Sequence, residues 1–239
     1  MLKMNRVNTI HIAGLFLLLF SLVSTSQAQK ISIRELKGGD LNSISTAVPF
    51  ITIAPDSRSG AMGDVGIASK PDLNSQHWNV AKYAFMKEDG GMAISYTPWL
   101  RRIIPDINLA YLSAYYKPTP NQVISGSLRY FSIGEITFTD FEGQILEQWS
   151  PYEMAFDAGY SRLFTDNFSG GVVFRFIQSN LTTKRVMEDS QPGIAVGADL
   201  GFYYQNDLRL RGSDAGYALG INLSNMGTPI AYSADTDRI

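Results

Sequence analysis

The chain has 239 residues, with 20 Lys and Arg against 22 Asp and Glu, two His and no Cys. A net charge of −2 excludes the strongly basic surface that nucleic acid selects, and the absence of Cys excludes disulfides, thiolate catalysis, Cys-ligated metals and a lipoprotein anchor. Charged residues at 18% fall below the roughly 25% of a soluble domain, while 21 Gly, 12 Tyr and 13 Phe suit a sheet facing something other than water.

Lys3 and Arg6 precede a largely apolar run over 10–23, and Ser26 and Ala28 supply small residues at the −3 and −1 positions of a cleavage site. This pattern predicts a signal peptide over 1–28, cleaved after Ala28, that exports the protein through the Sec route. The 14-residue run is too short for a spanning helix, which needs about 20. Losing Lys3 and Arg6 leaves 18 basic against 22 acidic residues, a net charge of −4, with His77 as the remaining histidine. Multi-histidine metal sites are thereby excluded, and no metal or cofactor is expected.

Residues 29–89 form a separate N-terminal periplasmic or plug segment. Residues 29–46 are polar. The run from Pro55 through Asp56, Arg58, Gly60, Met62, Gly63 and Asp64 to Gly66 is rich in small residues, and Trp78 and Asn79 follow it. Three glycines spaced three apart resemble a phosphate loop only superficially, because no Gly-Lys-Ser/Thr follows. The better reading is a tightly folded non-strand segment in or beneath a barrel mouth, with minimal volume and positive φ expected at Gly63. These ten residues are candidates for a plug or docking motif, with Arg58 expected to pair with Asp64. His77 has no Gly-x-Ser-x-Gly elbow to serve, and the scattered Asp residues lack calcium-loop spacing, so no catalytic residue is assigned and an enzyme is not expected.

From Gly90 onward the hydrophobic period is two. Met92, Ile94 and Tyr96 alternate with Ala93, Ser95 and Thr97. Similar runs follow at 107–117, 123–133, 154–161, 168–178, 194–203 and 217–224, each alternating large apolar with small or polar residues. A soluble sandwich shares such alternation. Strand lengths near ten residues, aromatics at strand ends and a small, polar second face favour an all-β fold, a transmembrane antiparallel barrel, with residues 90–239 supplying about seven strands. Lumen-facing Asp157, Arg175 and Asp199 either brace the wall or line a passage.

Connections at 117–121 and 164–167 are short, those at 99–106, 134–151 and 180–192 long, and 205–215 intermediate, the habit of outer-membrane barrels. Residues 136–141 are expected to continue a strand above the membrane. Phe138, Phe141, Ile145, Leu146 and Trp149 make the loop around them unusually apolar, marking a candidate cargo-facing surface. Seven strands cannot close a barrel of even number, so a truncated half is expected.

The run from Pro55 to Gly66, with His77 to Lys82 after it, resembles the PorV family, outer-membrane barrels of the type IX secretion system of Bacteroidetes. That family looks like a branch of the FadL-type barrels of about 14 strands, whose N-terminal Asn-Pro-Ala reads Asn79-Val80-Ala81 here. The resemblance implies a non-enzymatic protein set in outer-membrane lipid. Its implied partners are the Sov/SprA translocon barrel, the attachment complex containing the PorU sortase, and cargo proteins carrying a C-terminal signal domain. Such a protein takes cargo from the translocon and passes it to the attachment complex. A FadL-like transporter of hydrophobic small molecules is the rival implied by the same fold.

Overall fold

The computed structural model describes residues 48–99, 101, 106–183, 191–210, 213–230 and 232. All of them belong to the compact unit Thr46–Ile239. The expected leader over 1–28, the polar stretch 29–46, much of the 180–192 loop and the chain end 234–239 lie outside the described residues.

Among the described residues nine strands follow one another: β1 (Gly90–Pro98), β2 (Asn108–Thr119), β3 (Gln122–Ser132), β4 (Ile136–Thr139), β5 (Ile145–Trp149), β6 (Tyr152–Thr165), β7 (Phe168–Asn180), β8 (Gly193–Leu210) and β9 (Ser213–Gly227). Seven of them make one sheet in the order β1-β2-β3-β6-β7-β8-β9, each pair antiparallel. The sheet curls into a half-barrel whose edges are β1 and β9. No helix among the described residues is long and apolar enough to cross a membrane.

The period-two pattern maps onto the two faces. Met92, Ile94, Ile124, Leu128, Phe156, Phe174, Val196, Leu219 and Ile221 stand exposed on the convex side, Ile94 to 80%. Water would not stabilise so continuous an apolar band, which exceeds what a soluble monomer exposes. Aromatic pairs lie toward both ends of the strands, Tyr130 with Tyr152 at 5.6 Å and Phe168 with Phe202 at 6.1 Å, as interfacial girdles do.

Three features differ from the sequence reading. In β2 the large residues Leu109, Tyr111 and Tyr115 are buried on the concave side, where Tyr115 stacks on Tyr83 at 5.0 Å, so the lumen face is not uniformly small and polar. The intermediate connection at 205–215 is mostly strand, since β8 runs to Leu210 and β9 starts at Ser213. It joins the two-residue connections 120–121 and 166–167 as a third short link at one end of the sheet. Its polar Gln205, Asn206 and Asp207 read as loop because they extend a strand past the apolar band. Residues 136–141, in turn, do not prolong β3. β4 pairs with β5 in a sheet of its own, Ile136 opposite Trp149 and Phe138 opposite Glu147.

Candidate functional site

Residues 48–86 lie against the concave face of the sheet and fill it. Two apolar clusters seat them, Phe50 and Ile51 with Ala155, Ile177 and Ala195, and Val80 and Tyr83 with Tyr115, Val123 and Val173. Between the clusters the wall donates hydrogen bonds to the backbone of this inner segment. Ser95 of β1 reaches the Pro55 carbonyl (2.6 Å), Ser113 of β2 the Leu73 carbonyl (2.8 Å), and Ser169 of β7 the Ala81 carbonyl (2.7 Å). Ser125 of β3 donates to Gln76 Oε1 (2.6 Å) and Tyr203 of β8 to the Ser69 carbonyl (3.3 Å). A segment without strands of its own leaves many carbonyls to satisfy, and buried polar groups need partners. The small polar face of the wall supplies them.

Arg129 of β3 makes the densest contact. Its Nη1 donates to the carbonyls of Phe50 (3.1 Å), Ile51 (2.7 Å) and Ile53 (3.3 Å), and Nη2 donates to His77 Nδ1 (2.8 Å). Its guanidinium lies 5.2 Å from the Tyr111 ring centroid. His77 Nδ1 therefore carries no proton. Removal from water, helped by Arg129 and Arg175, holds His77 well below the usual imidazole range.

The ten candidate residues of the inner segment divide between two environments. Pro55, Asp56, Gly66 and Asn79 are buried, and Trp78 is half-buried. Asp56 caps the turn Ser57–Ala61 by accepting from the Ser59 N–H (2.8 Å), and it also accepts from Trp78 Nε1 (3.0 Å). Asn79 caps Val80–Phe85 through its Oδ1 and the Ala81 N–H (3.1 Å), while its Nδ2 donates to the Phe202 carbonyl on β8 (2.9 Å). Val80 occupies the first helical position, where Pro is favoured because the N–H goes unused, and the Asn79 cap forms without it. Arg58, Gly60, Met62, Gly63 and Asp64 form an exposed turn.

Two expectations for this turn are corrected. Arg58 pairs with Asp72 (3.1 Å), whose carboxylate is held by the Asn74 N–H (3.1 Å) and Ser75 Oγ (3.2 Å), and not with Asp64, which sits in the turn at φ 58°. Gly63 has the expected positive φ of 83°, yet a Cβ there meets nothing within 4 Å. Close approach occurs at Gly66, where a Cβ would stand 2.2 Å from the Trp78 ring. Wall glycines serve the same purpose: a Cβ on Gly201 would strike Asn79, and one on Gly220 the Ile67 carbonyl.

Buried Lys82, which sequence reasoning passed over, holds the stretch that follows. Its Nζ donates to the Gly66 carbonyl (2.9 Å) and Ser69 Oγ (3.0 Å), with Asp72 at 4.0 Å, and burial lowers it to about 8. Asp157, Arg175 and Asp199 form the internal network. Arg175 Nε donates to Asp157 Oδ1 (2.7 Å) and Nη2 to Asp199 Oδ2 (3.1 Å). Nη1 reaches Asn225 Oδ1, whose own N–H donates to Asp199 (2.7 Å). All three charged groups are buried, and the arrangement braces a register shift between β8 and β9.

The second candidate surface is the β4–β5 ribbon. Phe141 at its tip is fully exposed, Ile145 and Leu146 are exposed, and Phe138 and Trp149 are half-buried. Among the described residues, no group of acidic or histidine side chains is arranged to hold a metal ion.

An antiparallel half-barrel with an apolar convex face and a filled concave face defines a barrel-type membrane protein, and this fits an outer-membrane location. The chain belongs to the PorV family: the family model described as Type IX secretion system protein PorV matches residues 37–238. It is accordingly a type IX secretion system component, from a family of secretion components and not of known enzymes. No curated protein matches the chain.

Proposed function

We propose that this protein is a non-enzymatic outer-membrane carrier of the type IX pathway. It binds exported proteins through their C-terminal signal domain, receives them beside the Sov/SprA translocon barrel and passes them to the attachment complex containing PorU. In this reading residues 1–28 are the cleaved leader, 29–89 the plug and 90–239 the first half of the barrel. The observation that carries it is the β4–β5 ribbon: an apolar surface, Phe138, Phe141, Ile145, Leu146 and Trp149, raised on a rigid sheet whose lumen is occupied. Loops on rigid scaffolds are where binding concentrates, and an exposed apolar patch of this kind suits a protein partner.

Deleting 138–149 from the full-length protein tests this. Co-purification of cargo is expected to be lost while heat-modifiable mobility on a gel, the mark of a folded barrel, is kept. Cargo retained by the deletion protein refutes the assignment.

One observation favours the rival, transport of hydrophobic small molecules. A cavity of about 340 Å³ opens between Val48, Ile51, Ile177 and Pro229, with the polar groups of Arg175, Asn225 and Thr228 also in its lining. Fatty-acid uptake that depends on the protein, and that falls when Ile177→Asp is introduced, supports transport instead.

A further inference from the structure

We infer that the inner segment is built as two parts, and that the first, residues 48–62, is a strap which protonation of His77 releases from the sheet while residues 66–86 stay docked. The two parts sit toward opposite ends of the strands. Phe50 and Ile51 pack on Ala155, Ile177 and Ala195, close to the strand ends that carry the long connections. Val80 and Tyr83 pack on Tyr115 and Val123, close to a short link. Between the parts, residues 61–65 are all exposed, Gly63 and Asp64 both have positive φ, and a Cβ on Gly63 meets nothing within 4 Å. That turn has no packing of its own to resist bending.

The anchors differ in kind. The later part is bonded from β2, β3, β7 and β8, through Ser113, Ser125, Ser169 and Tyr203, and its Ala81, Lys82 and Tyr83 are fully buried. Among the described residues, two wall side chains hydrogen-bond the strap: Ser95 at the Pro55 carbonyl, and Arg129 at the carbonyls of Phe50, Ile51 and Ile53. Arg129 in turn leans on the later part, its Nη2 donating to His77 Nδ1 (2.8 Å). Once protonated, Nδ1 is itself a donor, and two like-charged donors then face each other at hydrogen-bond distance. No free anion offsets this. Arg175 of β7 and Asp199 of β8 line a cavity of about 170 Å³ with His77, and both Asp199 and Asp157 of β6 are already bonded to Arg175. β9 offers neutral Asn222, Ser224 and Asn225, and β2 the phenol of Tyr111. Within the segment, Asp56 is committed to the Ser59 N–H and Trp78 Nε1, and Asp72 is shared by Arg58 and Lys82. Two carboxylates thus meet two guanidiniums, and an imidazolium adds an unbalanced charge. Its relief is the retreat of Arg129, which takes three of the strap's four wall bonds. Release also breaks the Asp56–Trp78 and Arg58–Asp72 contacts, the second an exposed pair of small worth. It uncovers Ala155, Ile177 and Ala195, so that acid turns a filled half of the lumen into an apolar recess.

The chain has no Cys, so single thiols report on each part without background. In the full-length protein in lipid vesicles, Ser59→Cys marks the strap, where the buried hydroxyl has no partner to lose, and Ala84→Cys marks the later part, also buried. Reaction with dithiodipyridine, which proceeds in acid as well as at neutral pH, is followed at each pH relative to the same variant unfolded in denaturant. The Ser59→Cys thiol is expected to react up to about tenfold faster per pH unit below about 6.5, while the Ala84→Cys thiol stays protected. Adding His77→Gln is expected to abolish the pH dependence, since a neutral amide oxygen can still accept from Arg129. Adding Arg129→Gln is expected to expose the strap thiol at every pH and leave the other protected. Arg129→Lys, which keeps the charge and loses the fork, is expected to give the same split and serves if Arg129→Gln fails to insert. Equal acceleration of both thiols overturns the two-part construction. A strap thiol indifferent to pH, or one that keeps its pH dependence in His77→Gln, overturns release by His77.

Discussion

Gly66→Ala is the sharpest test of how the inner segment is held. A Cβ at Gly66 would lie 2.2 Å from Trp78 Cγ and Cδ2, against an ordinary contact of 3.4 Å or more. The indole must therefore retreat by at least 3.4 − 2.2 = 1.2 Å. Trp78 Nε1 sits 3.0 Å from Asp56 Oδ2, and such a displacement carries it beyond hydrogen-bond range. Overpacking costs about 1–3 kcal/mol, and a hydrogen bond to a carboxylate contributes about 1.5–3 kcal/mol. The two overlap, since moving the ring relieves one by losing the other, so the net local cost is about 2–3 kcal/mol. Opening of the segment should then rise roughly 30- to 150-fold, at about 1.4 kcal/mol per decade. Trypsin cleavage after exposed Arg58 reads that opening, and Trp78 emission, isolated in a Trp99→Phe/Trp149→Phe background, reads the ring. Gly63→Ala is the control: no atom is crowded there, and only a left-handed backbone penalty of about 1–2 kcal/mol applies. Unchanged Trp78 emission and unchanged cleavage in Gly66→Ala would refute the close packing of the indole on Gly66.

Two further outcomes follow from the same geometry. His77 binds its proton less readily folded than unfolded, so stabilisation is fully present above the unfolded value near 6.5 and is lost as pH falls below it. Protection of residues 50–56 against hydrogen exchange, taken relative to the intrinsic rate at each pH, should fall between about pH 6.5 and pH 5, and the dependence should flatten in His77→Gln; an unaltered profile in that variant removes His77 as the cause. On the convex face, Phe174→Arg places a charge where 68% of the side chain is exposed, which in water would be nearly neutral. In lipid it should cost about 2–4 kcal/mol near the midplane, read as a lower unfolding midpoint in vesicles, and a neutral result denies that this face meets lipid.

The two-faced sheet is legible in the order of the residues alone. Alternation such as Val172, Phe174, Phe176 against Gly171, Val173, Arg175 states which side each residue serves, because side-chain direction in a strand reverses at every step. Composition and short links determined the barrel class, and the run from Pro55 to Gly66 carried the family. Everything that depends on what fills the concave side arises only from the assembled fold. Leu109, Tyr111 and Tyr115 point inward since part of the inner segment is itself apolar, a fact no local period contains. Arg129 finds Phe50, Ile51 and His77 across 52 or more residues, and Arg58 chooses Asp72 over the nearer Asp64. The two glycines three residues apart look alike in sequence, yet Gly63 answers to its own φ and Gly66 to the ring of Trp78. Local sequence encodes backbone preference and facing. Which distant atoms then converge is set by strand register and chain closure, and these exist only once the sheet has formed around the segment it encloses.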